Sequence, residues 1–170
     1  WQVSNKDKIT LGYGLHYQMQ PIEIYFKQLD INGETFFPTR DLKFTKSHHA
    51  ILGYQHKFKW GINTKIEAYY QHLFDVPVTT YESTFSMVNF GADFNTALPD
   101  SLDNDGLARN YGIELTIEKY MEKGFYFLVT TSLYESKYTA SDGREYHSAF
   151  SGNFTFNSLI GYELRFKEGK

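Results

Sequence analysis

The stretch Gly106–Ser136, GLARNYGIELTIEKYMEKGFYFLVTTSLYES, decides the fold class. In its first half, apolar side chains occupy every second position, and mostly polar residues or glycine lie between them. The alternating apolar residues are Tyr111, Ile113, Leu115 and Ile117. A period of two places such residues on one face of a β-strand. The alternation resumes at Phe125, after a turn signal around Met121 to Gly124, with a more mixed second row. The stretch therefore predicts two long antiparallel strands joined by a tight turn.

The composition favours β structure and excludes several classes of function. The chain of 170 residues can form one domain, and 18% of its residues are aromatic, which suits the pleated surface of a sheet. A net charge of -3 without clustered Lys and Arg gives no electrostatic footprint for nucleic acid, so no nucleic-acid partner is expected. Because the chain has no cysteine, neither a disulfide framework nor a thiolate metal site can form.

The same alternation recurs along the rest of the chain. Four further strands are predicted over about 8–20, 48–59, 62–74 and 152–166. Pro21 and Pro77 are expected to end strands, because proline cannot donate a ladder hydrogen bond. Long connections over 21–46, 75–106 and 136–151 alternate with tight turns at Lys59–Gly61 and Met121–Gly124. The predicted fold is an all-β antiparallel meander with its short turns at one end and its long loops at the other.

This asymmetry is typical of outer-membrane β-barrels, which have short periplasmic turns and long extracellular loops. The strands are long enough for a tilted crossing of a bilayer, whereas no run of about 18 apolar residues predicts a membrane helix. Aromatic residues concentrate towards both ends of the strands, as two interfacial belts require. They are Phe58, Trp60, Tyr120, Phe125, Tyr126 and Phe166 at the short-turn end, and Tyr17, Tyr69, Tyr70, Phe74, Tyr111 and Tyr134 at the loop end.

Alternation alone does not say whether the apolar row faces lipid or a closed interior. A soluble ligand-binding β-barrel or sandwich without a transport role has the same period, with its apolar row inside. Six strands are too few to close a membrane barrel, and an open sheet edge is not tolerated in lipid. On the membrane interpretation, residues 1–170 are therefore a single segment of a larger transmembrane β-barrel.

Three stretches resemble the C-terminal part of the barrel in TonB-dependent outer-membrane receptors, especially those of the Bacteroidetes type. The first is KIEAYYQHLFDVPV, Lys65–Val78. The second combines FSMVNFGADF, Phe85–Phe94, with RNYGIELTIEKY, Arg109–Tyr120, and continues into KGFYFLVTTSLYESKY. The third is SDGREYHSAFSGNFTFNSLIGYE, Ser141–Glu163. Together they cover most of residues 48–166 in the order and spacing of that family.

The resemblance implies a receptor in the cell outer membrane that takes up a nutrient ligand by energy-coupled transport and is not an enzyme. Its partners would be outer-membrane lipid, a plug domain with the remaining barrel strands, the TonB system acting through that plug, and a small ligand. A plug domain, a TonB-contacting box and a terminal aromatic residue are not found between Trp1 and Lys170, so a fragment is expected. The isolated segment is expected to self-associate. The transported substrate is not defined by the sequence.

The candidate ligand contacts are aromatic residues in the long connections, which could stack on a sugar or another ligand. They are Phe36, Phe37, Tyr81 and Phe85. The alternative is that these rings pack the loops onto one another.

No cofactor, metal or catalytic site is expected from the other polar residues. Asp100, Asp103 and Asp105 suggest a cation loop but lack the glutamate that completes an EF-hand, so an acidic solvated loop is favoured. His48 and His49 are adjacent and would point to opposite faces of a strand. Glu114 and Glu118 would lie about 13 Å apart on one row, which suits a hydrated lumen lining better than acid–base catalysis.

Overall fold

The computed structural model describes residues 1–92 and 98–164. Most of these residues lie in β-strands, with one short helix, α1, at Ile22–Tyr25 and 3₁₀ turns at Lys59–Gly61 and Met87–Asn89. The strands are β1 Asp7–Gln18, β2 Leu29–Ile31, β3 Glu34–Phe36, β4 Thr45–Lys57, β5 Ile62–Thr79, β6 Leu102–Glu122, β7 Phe125–Thr139, β8 Glu145–His147 and β9 Phe154–Tyr162. In these ranges, no helix has both the length and the apolar character needed to cross a membrane.

The long strands form one antiparallel sheet in the order β1-β4-β5-β6-β7. The far edge of β7 pairs with β8 at the loop end and with β9 along the rest of its length. The strands β2 and β3 form a separate hairpin within the first long connection. The all-β meander with short turns at one end and long loops at the other is thus confirmed. Within the described ranges, β1 and β9 do not pair with each other, and no closed barrel is formed.

The tight turns owe their shape to residues with positive φ. At the β4–β5 turn, Trp60 has φ 64° and Gly61 has φ 71°, and at the β6–β7 turn Lys123 has φ 53° and Gly124 has φ 84°. Two successive residues in this region match the right-handed twist of the flanking strands. A further short turn at Ser4–Asp7 returns Trp1 to the outer edge of β1, where its carbonyl accepts a 2.9 Å hydrogen bond from the N–H of Ile9. All three turns lie at the same end of the sheet.

The prediction that Pro77 ends a strand is wrong. β5 continues through Pro77 to Thr79, and β6 begins at Leu102, so the second long connection is shorter than the predicted 75–106. The register shifts on both sides of Val76, and Asp75 has φ 55°. Such a bulge relieves the need for a ladder donor and therefore tolerates proline inside the strand. Asp103 and Asp105 consequently lie in β6, solvent-exposed, rather than in a loop.

Other boundaries differ by smaller amounts. β7 extends to Thr139, and the third connection contains the short strand β8. The last strand, predicted over about 152–166, spans Phe154–Tyr162. Phe166, assigned to the short-turn belt, and Phe94, the last residue of one family-like stretch, lie outside the described residues.

The buried core sits at the loop end of the molecule. One cluster joins the first two long connections through Ile24, Leu42, Met87 and Leu102. A second cluster, Ala108, Tyr138 and Ala140, lies at the loop end of β6 and β7. Thr39 is buried and donates a 2.5 Å hydrogen bond to the carbonyl of Ile24, which satisfies a polar group inside the first cluster. The long loops therefore form a packed cap at one end of the sheet.

Candidate functional site

The strand register divides the sheet into two faces of opposite character. On one face, called here the apolar face, a single row of residues crosses six strands without a polar side chain. The row is Leu11, Leu52, Ala68, Ile113, Leu133 and Phe154. Its large members are exposed, with Leu11 at 80% and Phe154 at 57%. This face thus presents a continuous apolar surface that no described element covers.

The adjacent row on the other face, called here the polar face, is almost entirely hydrophilic. It consists of Thr10, Gly53, Glu67, Glu114, Ser132 and Thr155. Glu67 lies directly across from Glu114, a pairing of like charges that needs partners. Lys65 forms a 2.6 Å ion pair with Glu67, and Ser132 donates a 3.1 Å hydrogen bond to Glu114. Each carboxylate therefore has a polar partner on this face.

A groove of about 470 Å³ follows the polar face. Its lining side chains come from β5, β6, β7 and β9, and they are Tyr69, Glu114, Thr116, Thr130, Ser132, Tyr134, Thr155 and Asn157. The groove is wide and rich in hydroxyl groups, so it suits water or a polar partner rather than an apolar ligand. Glu114, which was predicted to line a hydrated lumen, is one of the residues of this groove.

The prediction of a loop-end aromatic belt needs a correction. Tyr17, Tyr70, Phe74 and Tyr111 occupy the apolar face, as the belt requires. Tyr69 and Tyr134 instead lie on the polar face and line the groove. Neighbouring residues of a strand point to opposite faces, so Tyr69 and Tyr70 cannot belong to the same belt.

The four candidate ligand contacts occupy different environments at the loop end. Phe36 and Phe37 are exposed, and the guanidinium of Arg40 lies 5.9 Å from the ring centre of Phe37. Tyr81 is also exposed, whereas Phe85 packs against the cluster around Ile24. Phe85 therefore contributes to the packing of the loops, as the alternative describes. Among the ring contacts of the described residues, none joins two of these four side chains.

A hydroxyl network that the sequence did not reveal holds the loop of Tyr81 in place. Ser141 Oγ donates to the carbonyl of Tyr81 at 2.7 Å and accepts from the N–H of Ser83 at 3.0 Å. Thr79 Oγ lies 2.9 Å from the same serine oxygen. The sequence Ser-Asp-Gly at residues 141–143 is typical of a turn. The residues that Ser141 contacts lie about sixty positions earlier in the chain, so no local sequence pattern indicates these contacts. The network fixes the backbone on which Tyr81 is presented.

The turn at residues 140–144 is ordered by one carboxylate. Tyr146 donates a hydrogen bond to Asp142, and the N–H of Arg144 donates another at 3.0 Å. These donors lower the pKa of the Asp142 carboxyl below its ordinary value of 3.8, the Tyr146 hydroxyl having the largest effect. A carboxyl whose pKa is lowered by folding stabilises the folded turn above the unfolded pKa, and this contribution is lost as the pH falls through the folded pKa.

We therefore expect Tyr146→Phe to raise the pKa of Asp142 towards 3.8. The order of the turn in this variant should then be lost at a higher pH than in the parent. The measurement is the pH dependence of the Asp142 carboxyl carbon shift by nuclear magnetic resonance. Tyr138→Phe is the control, because the Tyr138 hydroxyl donates to the carbonyl of Thr84 instead. Identical Asp142 titrations in all three proteins would contradict the assignment.

Within residues 1–92 and 98–164, no group of three His, Asp or Glu side chains is suitably placed to hold a metal ion. His48 and His49 point to opposite faces, as predicted: the first contacts Tyr13 at 2.7 Å, and the second lies near the ring of Tyr69. The features with functional potential are thus the two faces of the sheet and the loop cap.

No family model matches the chain, and the search of curated proteins found no match.

Proposed function

We propose that this chain forms part of the wall and extracellular loops of an outer-membrane β-barrel receptor for energy-coupled uptake of a nutrient ligand, of the TonB-dependent kind. In this role it is a transport protein and not an enzyme. The observation that carries the proposal is the uninterrupted apolar row from Leu11 to Phe154 beside the polar row from Thr10 to Thr155.

Exposure of the apolar row favours lipid as its surroundings. A soluble barrel or sandwich would bury this row and expose the polar one. Here the apolar row is exposed, and the buried clusters lie at the loop end. Water-exposed apolar patches larger than a few hundred Å² mark interaction surfaces, because their burial is strongly favourable. Hydrocarbon chains would cover this face without any further protein element.

The dimensions of the apolar face fit a bilayer. On β6 the charged residues Arg109 and Lys119 lie on the apolar face and are ten residues apart, and the four positions between them on that face carry Tyr111, Ile113, Leu115 and Ile117. Ten residues of strand cover about 34 Å, or about 25 Å along the membrane normal at a tilt of about 45°. The apolar band of outer-membrane barrels is about 25 Å tall.

The polar face would line the barrel interior and meet water or a plug domain there. The short turns would then lie in the periplasm and the loop cap outside the cell. Of the four candidate ligand contacts, Phe36, Phe37 and Tyr81 are exposed in the cap, and the hydroxyl network around Ser141 holds Tyr81 in a defined position. Ligand selectivity would therefore depend on the loops, and the strands would serve as their scaffold.

Membrane fractionation of cells that produce the full-length gene product tests the proposal. We expect the protein in the outer-membrane fraction, retained after urea washing and released only by detergent. Its gel mobility should change on heating, because a folded barrel resists detergent unfolding until it is heated. Recovery in the soluble fraction without detergent would contradict the proposal and favour a soluble ligand-binding barrel or sandwich.

A further inference from the structure

A row of basic side chains crosses the apolar face at its loop end. The register aligns one such residue from each of five paired strands, β4 to β8 in sheet order. They are His48, His72, Arg109, Lys137 and His147. Paired strands lie about 4.8 Å apart, so the row extends over about 19 Å. These residues are far apart in the sequence, and only strand pairing aligns them in one row.

The next row towards the short turns is rich in tyrosine, and it also holds Ala50 and Glu135. It contains Tyr13, Tyr70 and Tyr111, with the rings of Tyr70 and Tyr111 stacked at 6.4 Å between centroids. Beyond it lies the fully apolar row that includes Ile113. Tyrosine is typical of the boundary between hydrocarbon and headgroups. Along β5 and β6 the order is therefore apolar, aromatic and basic, which follows the order of layers from the middle of a bilayer to its surface.

We propose that this basic row binds the phosphate groups of membrane lipids in the leaflet next to the loop cap. The inference rests on the proposed membrane function and adds a specific headgroup chemistry to it. Arg and Lys are the residues that form the strongest hydrogen bonds with phosphate, and Arg can do so with two donors. A neutral imidazole can add one N–H donor.

The neighbouring carboxylates leave donors free for a lipid. Glu145 contacts Arg109 at 2.6 Å through one terminal nitrogen of the guanidinium, Nη2. Lys137 lies 2.9 Å from Glu135 and 3.8 Å from Glu145, and His147 lies 3.7 Å from Glu135. A guanidinium has five N–H donors and an ammonium has three, so these ion pairs do not exhaust either side chain. Glu135 and Glu145 lie in the rows on either side of the basic row, and they orient the cations along the face.

The test uses the full-length protein, purified in a neutral detergent and titrated with short-chain phosphatidic acid under native mass spectrometry. Diacylglycerol, which lacks the phosphate, is the lipid control. We expect Arg109→Gln with Lys137→Gln to weaken phosphatidic acid binding about tenfold or more, since two charge-assisted hydrogen bonds are removed. The matched control is Lys8→Gln with Lys65→Gln, which removes the same charge from the polar face. Its binding should equal that of the parent.

A second variant keeps the test decisive if the first does not fold, as judged by its heat-dependent gel mobility. His48→Gln with His72→Gln leaves the ion pairs of Arg109 and Lys137 intact and should cause a smaller loss. Unchanged binding in the folded variants, or an equal loss in the polar-face control, would overturn the inference. Displacement of the lipid by millimolar inorganic phosphate would also overturn it, because the site would then recognise a free anion. Each of these outcomes leaves the membrane location of the protein unaffected.

Discussion

Replacing Ile113 by lysine is expected to destabilise the membrane-inserted sheet by about 2–4 kcal/mol, the cost of a lysine on the lipid-facing side near the middle of a bilayer. Ile113 lies in the apolar row and is half exposed, at 51%. On the same face, Tyr111 separates it from Arg109, and Leu115 and Ile117 separate it from Lys119. The lysine ammonium could reach water only by bending past these neighbours. The measurement is the free energy of unfolding in phospholipid bilayers, from urea titrations of the full-length protein.

The matched control is Glu114→Lys, at the next position of the same strand. Glu114 lies on the polar face beside Glu67 and Lys65, where a new ammonium can pair with the Glu67 carboxylate. A change within about 0.5 kcal/mol is expected there, as at other solvated positions. Similar losses for the two variants would mean that both faces meet the same surroundings, and the proposed orientation of the sheet would be wrong.

Replacing Gly112 by alanine is expected to destabilise the folded protein by about 1–3 kcal/mol, the usual cost of overpacking. This is the second large effect. A Cβ at Gly112 would come within 2.7 Å of the carbonyl oxygen of Leu133 and 2.9 Å of the hydroxyl of Tyr69. Tyr69 and Tyr134 flank this glycine in the same row of the polar face. The backbone of β7 cannot move away without loss of its pairing with β6, so the strain remains in the sheet.

Gly12→Ala provides the control for this substitution. Gly12 is a polar-face glycine of β1, and a Cβ there meets only the Cβ of Ile51, at an ordinary 3.9 Å. The propensity of glycine for strands is low, so this change should be neutral or slightly stabilising. Thermal unfolding of the two variants in the same detergent would separate them. Equal midpoints of thermal unfolding would contradict the prediction, because they would show that the strands near Gly112 have room for a Cβ in solution.

The predictions that succeeded concern local features. Alternation in Tyr111–Ile117 and the glycine-containing turns at Gly61 and Gly124 depend on neighbouring residues, and the structure confirms the strands and turns that they indicate. The prediction for Pro77 failed because a bulge at Asp75, stabilised by pairing with a distant strand, has no signature in the sequence. The packing of Phe85 likewise depends on Ile24, which lies about sixty residues earlier in the chain.

The sequence by itself determined that the chain forms long antiparallel strands, each with one apolar row, and that short turns and long loops lie at opposite ends. These properties follow from a side-chain period of two and from the order of the connections. Only the tertiary structure decided which rows stand side by side. A shift of one residue in any pairing would move apolar side chains onto the polar face and break the rows. The apolar row through Ile113, the groove beside Glu114 and the basic row through Arg109 therefore exist because of strand register, which is set by contacts between residues far apart in the chain.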